Sequence, residues 1–419
     1  MLRWLVLGLF LVVAAASPHS DYITQLMNSP DFGSRYSNNL YEDARLDVPD
    51  LVRKYRYPLE EHFAVSEDGY ILGMHRIPHG RDFNRIPRPN RPVVFVMHGL
   101  FSSSADFVLM GPGTGLGYVL AEQGFDVWLG NARGNYYSRN HTTMNPDSIR
   151  FWEFSWDEIG NHDLPAMIDY VLKHTGQKRL HYIGHSQGTT SFFVMGSLRP
   201  DYNKKIISMH AMAPVAYLAH NSHLLFNAIA PYSKNILLAN LIGIGEFIPN
   251  TLVMTWAGEN ICRDEFPSQK YPLLLLNNGF AFLSKSTMFP VKLGHTPAGG
   301  SVRQLAHYGQ SIADKGFRRY DHGAIINRRR YGRFTPPSYN LSRVTAPVFL
   351  HYSDGDLLAD LRDVNRLFRE LGAPVGKFRV TMARFSHVDF MWGIDAKSLV
   401  YNRIINLIKS MHIHGLSNT

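Results

Sequence analysis

Residues Gly184-His185-Ser186-Gln187-Gly188 constrain this chain more than any other segment. Gly-x-Ser-x-Gly recurs by chance in many proteins, so its flanks carry the argument. Before it, Arg179-Leu-His-Tyr-Ile183 is a short apolar, β-branched and aromatic run with the character of a buried strand. After it, Thr189 to Leu198 has the length and spacing of a helix packed on a sheet. A strand that passes into a helix through one serine must turn sharply. Glycines on both sides remove the Cβ atoms that would collide with the neighbouring strand and helix. The turn lifts the hydroxyl off the sheet and places it before the helix N-terminus, where negative charge is favoured. That is the geometry of a nucleophilic serine.

Such a serine needs a base and an acid that orients the base. On a strand-turn-helix scaffold the chain order is Ser, then Asp or Glu, then His. The chain has 20 histidines, but the order removes most of them. Ala346 to Tyr352 reads as a late strand, and Ser353-Asp354-Gly355-Asp356 follows it, where an orienting acid belongs. Asp354 and Asp356 compete for that role. Asp360 and Asp363 fall in the first turn of the next helix, where carboxylates favour the dipole. Lys377 to Met382 reads as the following strand, and His387 lies in the loop beyond it. The remaining late histidines, His412 and His414, fall in a C-terminal tail expected to be solvated, after a helix over 397–411. His387 is therefore the expected base.

An acyl-transfer site also needs donors for the developing oxyanion. Val93 to Met97 is a buried-strand run followed by His98-Gly99-Leu100. A His-Gly turn at that point supplies one backbone N–H, and the residue after the serine supplies the other. The expected donors are the amides of Leu100 and Gln187. His98 is read as a packing residue that holds the turn.

With these residues in place the chain resembles the acid lipase family, which includes gastric and lysosomal acid lipases. The matching stretches include Glu67 to Leu72, His98 to Leu100, Gly124 to Asn135, Asp163 to Pro165, His181 to Thr190, Asp356 to Asp360 and His387 to Phe390. The resemblance implies an α/β-hydrolase fold: a mostly parallel central sheet with helices on both faces and an inserted, mainly helical cap. It implies hydrolysis of carboxylic esters of lipids, triacylglycerols or sterol esters, through Ser186, Asp356 and His387. It selects Asp356 over Asp354, because the family acid directly precedes an apolar pair and Ala-Asp. A cofactor or metal is not expected. The family usually carries a disulfide in the cap; Cys262 is the single cysteine here and has no partner for one. Two other readings are a short-chain carboxylesterase and a non-catalytic lipid-binding protein on a lipase scaffold.

Length and composition agree: 419 residues at 45% hydrophobic content suffice for a large core. Residues 1–16 read as a signal peptide, with Arg3, an apolar run and Ala14-Ala15-Ala16, too short to be a membrane span. Secretion, with the lysosome as alternative, makes the sequons at Asn140 and Asn340 candidate glycosylation sites. The formal charge of +9 falls to +8 without Arg3. Its densest cluster, Asn327-Arg-Arg-Arg-Tyr-Gly-Arg333, reads first as a solvated loop and second as an attraction for anionic lipid. A nucleic-acid partner is not expected. The expected partner is a lipid ester at a lipid–water interface.

The organisation expected is an N-terminal arm over 17–50, a first core segment over 51–213, a cap over 214–337 and a second core segment over 338–419. Strands are expected near 70–72, 93–98, 125–129, 179–184, 207–212, 347–352 and 377–382, and one helix over 157–174 stopped by Gly176. Gly111 to Gly117 reads as a surface loop. Between Pro214 and Pro337 the strand rhythm stops and apolar patches appear at 224–226, 236–244, 271–276 and 280–283, suited to packing or to an acyl site.

Overall fold

A computed structural model describes residues 38–81, 91–223, 226–227, 230–232, 245–246 and 288–416. The proposed signal peptide, Cys262 and the apolar patches at 236–244, 271–276 and 280–283 lie outside these residues.

Alternation within the strands explains the architecture. In β3 (Val93–Met97), Val93, Phe95 and Met97 join one core cluster, and Val94 and Val96 join another. In β4 (Asp126–Gly130), Trp128 joins the first, and Val127 and Leu129 the second. A strand apolar at every position must be covered on both sides. Among the described residues nine strands form one sheet in the order β1-β2-β4-β3-β6-β7-β8-β9, with β5 paired to β2. The first two are β1 (Glu60–Val65) and β2 (Tyr70–Ile77); β5 is Asn140–His141. These three pair antiparallel. From β4 through β3, β6 (Leu180–His185), β7 (Ile206–Met212), β8 (Val348–Tyr352) and β9 (Pro374–Arg379) every pairing is parallel.

Helices cover both faces. Ile168, Val171, Phe192, Phe193, Val364 and Leu367 fill one core; they come from α4 (Leu164–Thr175), α5 (Gln187–Leu198) and α9 (Leu361–Glu370). The other takes Val48, Leu51 and Val52 from α2 (Val48–Lys54), Leu116 and Leu120 from α3 (Leu116–Glu122), and Ile404 and Ile408 from α10 (Asn402–Leu416). A short α1 (Asn38–Arg45) precedes them. In the stretch expected as a cap, the described residues hold α6 (Phe289–His295), α7 (Val302–Asp314) and α8 (Ala324–Tyr331).

Several sequence readings need correction. The helix expected over 157–174 is present from Trp156 to Thr175 and stops at Gly176, but it contains an unforeseen five-residue π turn (Ile159–Asp163) before α4. Pro165 has no N–H to continue the ladder, which favours the wider turn. The last parallel strand lies three residues earlier than expected. His412 is not in a solvated tail: α10 runs to Leu416, and the His412 Nδ1 lies 3.3 Å from His181 Nε2 beneath β6. The glycine stretch is a surface loop only at its start, since Gly115 and Gly117 are buried at and just past the start of α3.

The π turn has a clear role. It carries Asp163, fully buried, against Arg133, also buried. The Arg133 Nε donates to Asp163 Oδ1 at 2.7 Å, and its Nη1 and Nη2 donate to Asp68 at 2.6 and 2.8 Å. The guanidinium lies over the Tyr70 ring at 4.0 Å. Removing one partner of a buried pair leaves an uncompensated charge. Arg133→Leu is expected to cost about 3–5 kcal/mol; a urea melt that finds less than about 1 kcal/mol would show the pair to be dispensable.

Asp106 is the opposite case: a buried acid that, among the described residues, has no ion-pair partner. Burial raises its carboxyl to about 7, an effect that Ser102 and Trp392 reduce only in part. A raised carboxyl pKa penalises the folded state above the unfolded value of about 3.9, increasingly up to the folded value. Asp106→Asn is therefore expected to raise the melting temperature at about pH 8 and to leave it nearly unchanged at about pH 4. A shift of equal size at both pH values would contradict this.

Candidate active site

The turn at Ser186 is built as its glycines require. Ser186 has φ 51° and ψ −118°, a conformation L-residues seldom adopt. A Cβ at Gly184 would lie 2.8 Å from the Gly188 carbonyl carbon. One at Gly188 would lie 2.9 Å from the His98 oxygen and closer still to the Met97 oxygen. Residue 188 thus sits against the end of β3, and no side chain fits between. The Ser186 N–H donates to Met212 O at 3.1 Å, fixing the turn to β7.

Ser186, His387 and Asp356 come together at the carboxyl ends of β6, β9 and β8. The His387 Nδ1 lies 2.7 Å from Asp356 Oδ2, and its Nε2 lies 2.7 Å from Ser186 Oγ. An ionised carboxylate only accepts, so Nδ1 carries the proton and Nε2 accepts from the hydroxyl. The other Asp356 oxygen accepts from the Leu358 and Ala359 amides at 2.8 and 2.9 Å. Burial alone would raise the Asp356 carboxyl; the attraction to His387 and these hydrogen bonds outweigh it and hold it below the usual range. Asp354 is instead half-exposed and paired with Arg379.

The loop after β3 faces the same point. The order of the sheet places β4 on one side of β3 and β6 on the other, so the chain reverses direction across β3. Sites in open α/β sheets form at such reversals, at the carboxyl ends of the strands. Gln187 opens α5, so its N–H has no carbonyl one turn back. Leu100 follows Gly99, at which a Cβ would lie 3.2 Å from the Ser186 Cβ. His98 holds this turn. Its Nε2 lies 3.0 Å from the Ala132 N–H, so it accepts there, and its Nδ1 donates to Gly99 O at 2.7 Å. Burial lowers its pKa to about 4, which keeps it neutral.

Two groups were not singled out from the sequence. The His185 Nε2 lies 2.9 Å from the His387 carbonyl oxygen, so it donates to the backbone of the loop that carries His387. The Asp389 Oδ2 accepts from the Ser386 N–H at 2.6 Å on the other side of His387. Nothing in single-sequence reading pairs residues 185 and 387. The sequons fall elsewhere: Asn140 is exposed on β5, and Asn340 is exposed and accepts from the Ser342 hydroxyl at 2.7 Å.

Among the described residues, metal-ligand types gather at Glu60, His62 and His174. The cation there is already Arg76, whose Nη1 is 2.7 Å from Glu60 and 3.4 Å from His174. That group lies on the sheet edge, four strands from β6.

With this geometry in hand, comparisons with known proteins are informative. The family model "Partial alpha/beta-hydrolase lipase region" matches residues 48–111, and "alpha/beta hydrolase fold" matches 92–237. Lipase 1 of Drosophila melanogaster is 44% identical over 88% of this chain and 81% of its own. Gastric triacylglycerol lipase of Bos taurus is 38% identical over 87% of this chain and 92% of its own. Lysosomal acid lipase/cholesteryl ester hydrolase of Homo sapiens is 36% identical over 88% and 92%. A solved monoglyceride lipase of Saccharomyces cerevisiae, 15% identical, superposes with a TM-score of 0.51 over 85% of this chain and 96% of its own, and so shares the fold.

Gly188 is the most stringent position. Gly188→Ala is expected to cost about 1–3 kcal/mol, because backbone rather than a flexible side chain opposes the new methyl. An unchanged thermal melt would mean β3 and α5 are not held as closely as described.

Proposed function

The chain belongs to the acid lipase family of α/β-hydrolases, and from that premise we propose a serine mechanism for its hydrolysis of lipid esters. Its relatives are named lipases, and it is a carboxylic ester hydrolase of the same kind. The observation that carries the mechanism is the continuous hydrogen-bonded chain Ser186–His387–Asp356.

His387 Nε2 takes the hydroxyl proton as Ser186 Oγ attacks the ester carbonyl. Asp356 keeps the proton on Nδ1 and stabilises the imidazolium. The Leu100 and Gln187 amides receive the oxyanion. The imidazolium returns its proton to the leaving alcohol, leaving an acyl-Ser186. Water then attacks with His387 as base and releases the fatty acid.

Triacylglycerol or sterol esters are the substrates of this reading, from the relatives' names. The protein is secreted, with the lysosome as alternative, and residues 1–16 act as its signal peptide. Exposure of Asn140 and Asn340 supports glycans at both. Among the described residues no helix is long and apolar enough to cross a membrane.

Ser186→Ala is expected to lower kcat by on the order of 10⁴-fold or more on a fluorogenic ester without altering the melt. Asp356→Asn is expected to lose on the order of 10⁴-fold, and Asp354→Asn little. If Asp354→Asn were the more damaging, the acid would be misassigned.

A further inference from the structure

Helix α8 and the turn after it present a surface that the ester chemistry does not use. Between Asp321 and Asp354 the sequence has no acidic residue, yet it has Arg328, Arg329, Arg330, Arg333 and Arg343. All five are exposed, and the first four lie on α8 and the turn after it. Among the described residues no carboxylate pairs with any of them. Beside them Ile325 is 72% exposed, Phe334 65% and Ile326 46%. A solvated loop has no use for three large apolar side chains held in water, so charge and exposed apolar area here have to be explained together.

The helix period arranges them. Asn327 is buried and marks the inward side. Ile325 and Arg329 are four residues apart and project opposite it; Ile326 and Arg330 form the adjoining row. The platform is rigid. Asn327 Nδ2 donates to Asp321 Oδ1 at 2.7 Å and to Phe334 O at 3.0 Å, and its Oδ1 accepts from the His322 N–H at 3.0 Å. One buried amide thus ties the approach to α8, the helix and the turn bearing Phe334. The Tyr331 hydroxyl donates to Tyr320 O at 2.9 Å, and Arg319 pairs with the buried Asp157 at 3.0 Å. Arg328 donates to Gly332 O and lies 5.7 Å from the Phe334 ring. The apolar groups are therefore not exposed because the segment is loose.

We propose that α8 and its following turn dock this protein on anionic lipid–water interfaces. The arginines meet lipid phosphate and carboxylate groups, and Ile325, Ile326 and Phe334 enter the boundary between headgroups and acyl chains. Arginine forms two parallel hydrogen bonds to a phosphate or carboxylate, and an apolar row beside it gives the buried area that a purely ionic contact lacks. The usefulness of docking rests on the lipid-ester reading above. Free fatty acid released there would add negative charge to the same surface.

The test uses the full chain and vesicles of phosphatidylcholine, with or without a minor fraction of phosphatidylserine, in a sedimentation assay. Turnover of a soluble short-chain ester is read separately. The wild type is expected to bind the anionic vesicles at least about tenfold more tightly, with binding weakened by salt. Replacing the four arginines of α8 and its following turn (Arg328→Gln, Arg329→Gln, Arg330→Gln, Arg333→Gln) is expected to remove that preference. The triple variant Ile325→Ser, Ile326→Ser, Phe334→Ser is expected to keep the salt dependence and lose several-fold in affinity. Both variants are expected to retain soluble-ester turnover. Equal wild-type binding to the two vesicles, or wild-type binding by the arginine variant, would overturn the proposal. So would an unchanged apolar variant, which would make the surface a general polyanion site. Loss of soluble-ester turnover in the wild type would count against the esterase reading instead, and would leave the vesicle result standing.

Discussion

The approach of residue 188 to the end of β3 is the contact on which the site depends. With no Cβ at Gly188, α5 starts against the carbonyl groups of Met97 and His98, and the helix amides arrive beside the loop that begins at Gly99. That approach forces the strained Ser186 backbone and raises its hydroxyl above the sheet. It also brings the start of α5, where Gln187 lies, beside the loop that begins at Gly99. The strain is sustained by parallel strands on both sides: β3 and β7 flank β6, and Met212 O accepts the Ser186 N–H.

Burial then decides protonation. Three histidines lie around the serine, and each is assigned one tautomer by the group it meets. The Ala132 amide can only donate, so His98 Nε2 is bare. The His387 carbonyl can only accept, so His185 Nε2 carries hydrogen. Asp356 can only accept, so His387 presents a bare Nε2 to Ser186. Burial lowers the pKa of His185 to about 3 and that of His98 to about 4. Both therefore stay neutral in moderate acid, so neither opposes a charge on His387. A structural histidine beside a working one is tolerable only under that condition.

Much of this was legible in residue order. β3, β4, β6, β7 and β8 are buried at every position because both faces are covered, and such mostly apolar runs stand out. β1 was missed because it is a half-exposed edge, with a burial pattern that alternates around Glu60, His62 and Phe63. β9 was displaced for the same reason, its residues being half-buried throughout or exposed. The motif glycines and the Ser-Asp-His order nominated Ser186, His387 and either Asp354 or Asp356; the acid lipase resemblance favoured Asp356, and the structure gives the distances among Ser186, His387 and Asp356. The two aspartates differ in their surroundings: Asp356 meets two amides and an imidazole, whereas Asp354 meets a surface arginine. The roles of His185, Asp163 and Asn327 were not legible because each acts through partners distant in sequence or through backbone, and a single chain read in order carries no record of such pairings.

The central claim is that one hydroxyl, raised by one strained turn, is the nucleophile. The direct measurement is covalent trapping with a fluorophosphonate, followed by digestion and mass spectrometry. A single adduct on Ser186, formed at a rate that falls together with ester hydrolysis when His387 is replaced by Ala, is the predicted result. An adduct on another residue, or continued hydrolysis by protein fully labelled at Ser186, would contradict the account.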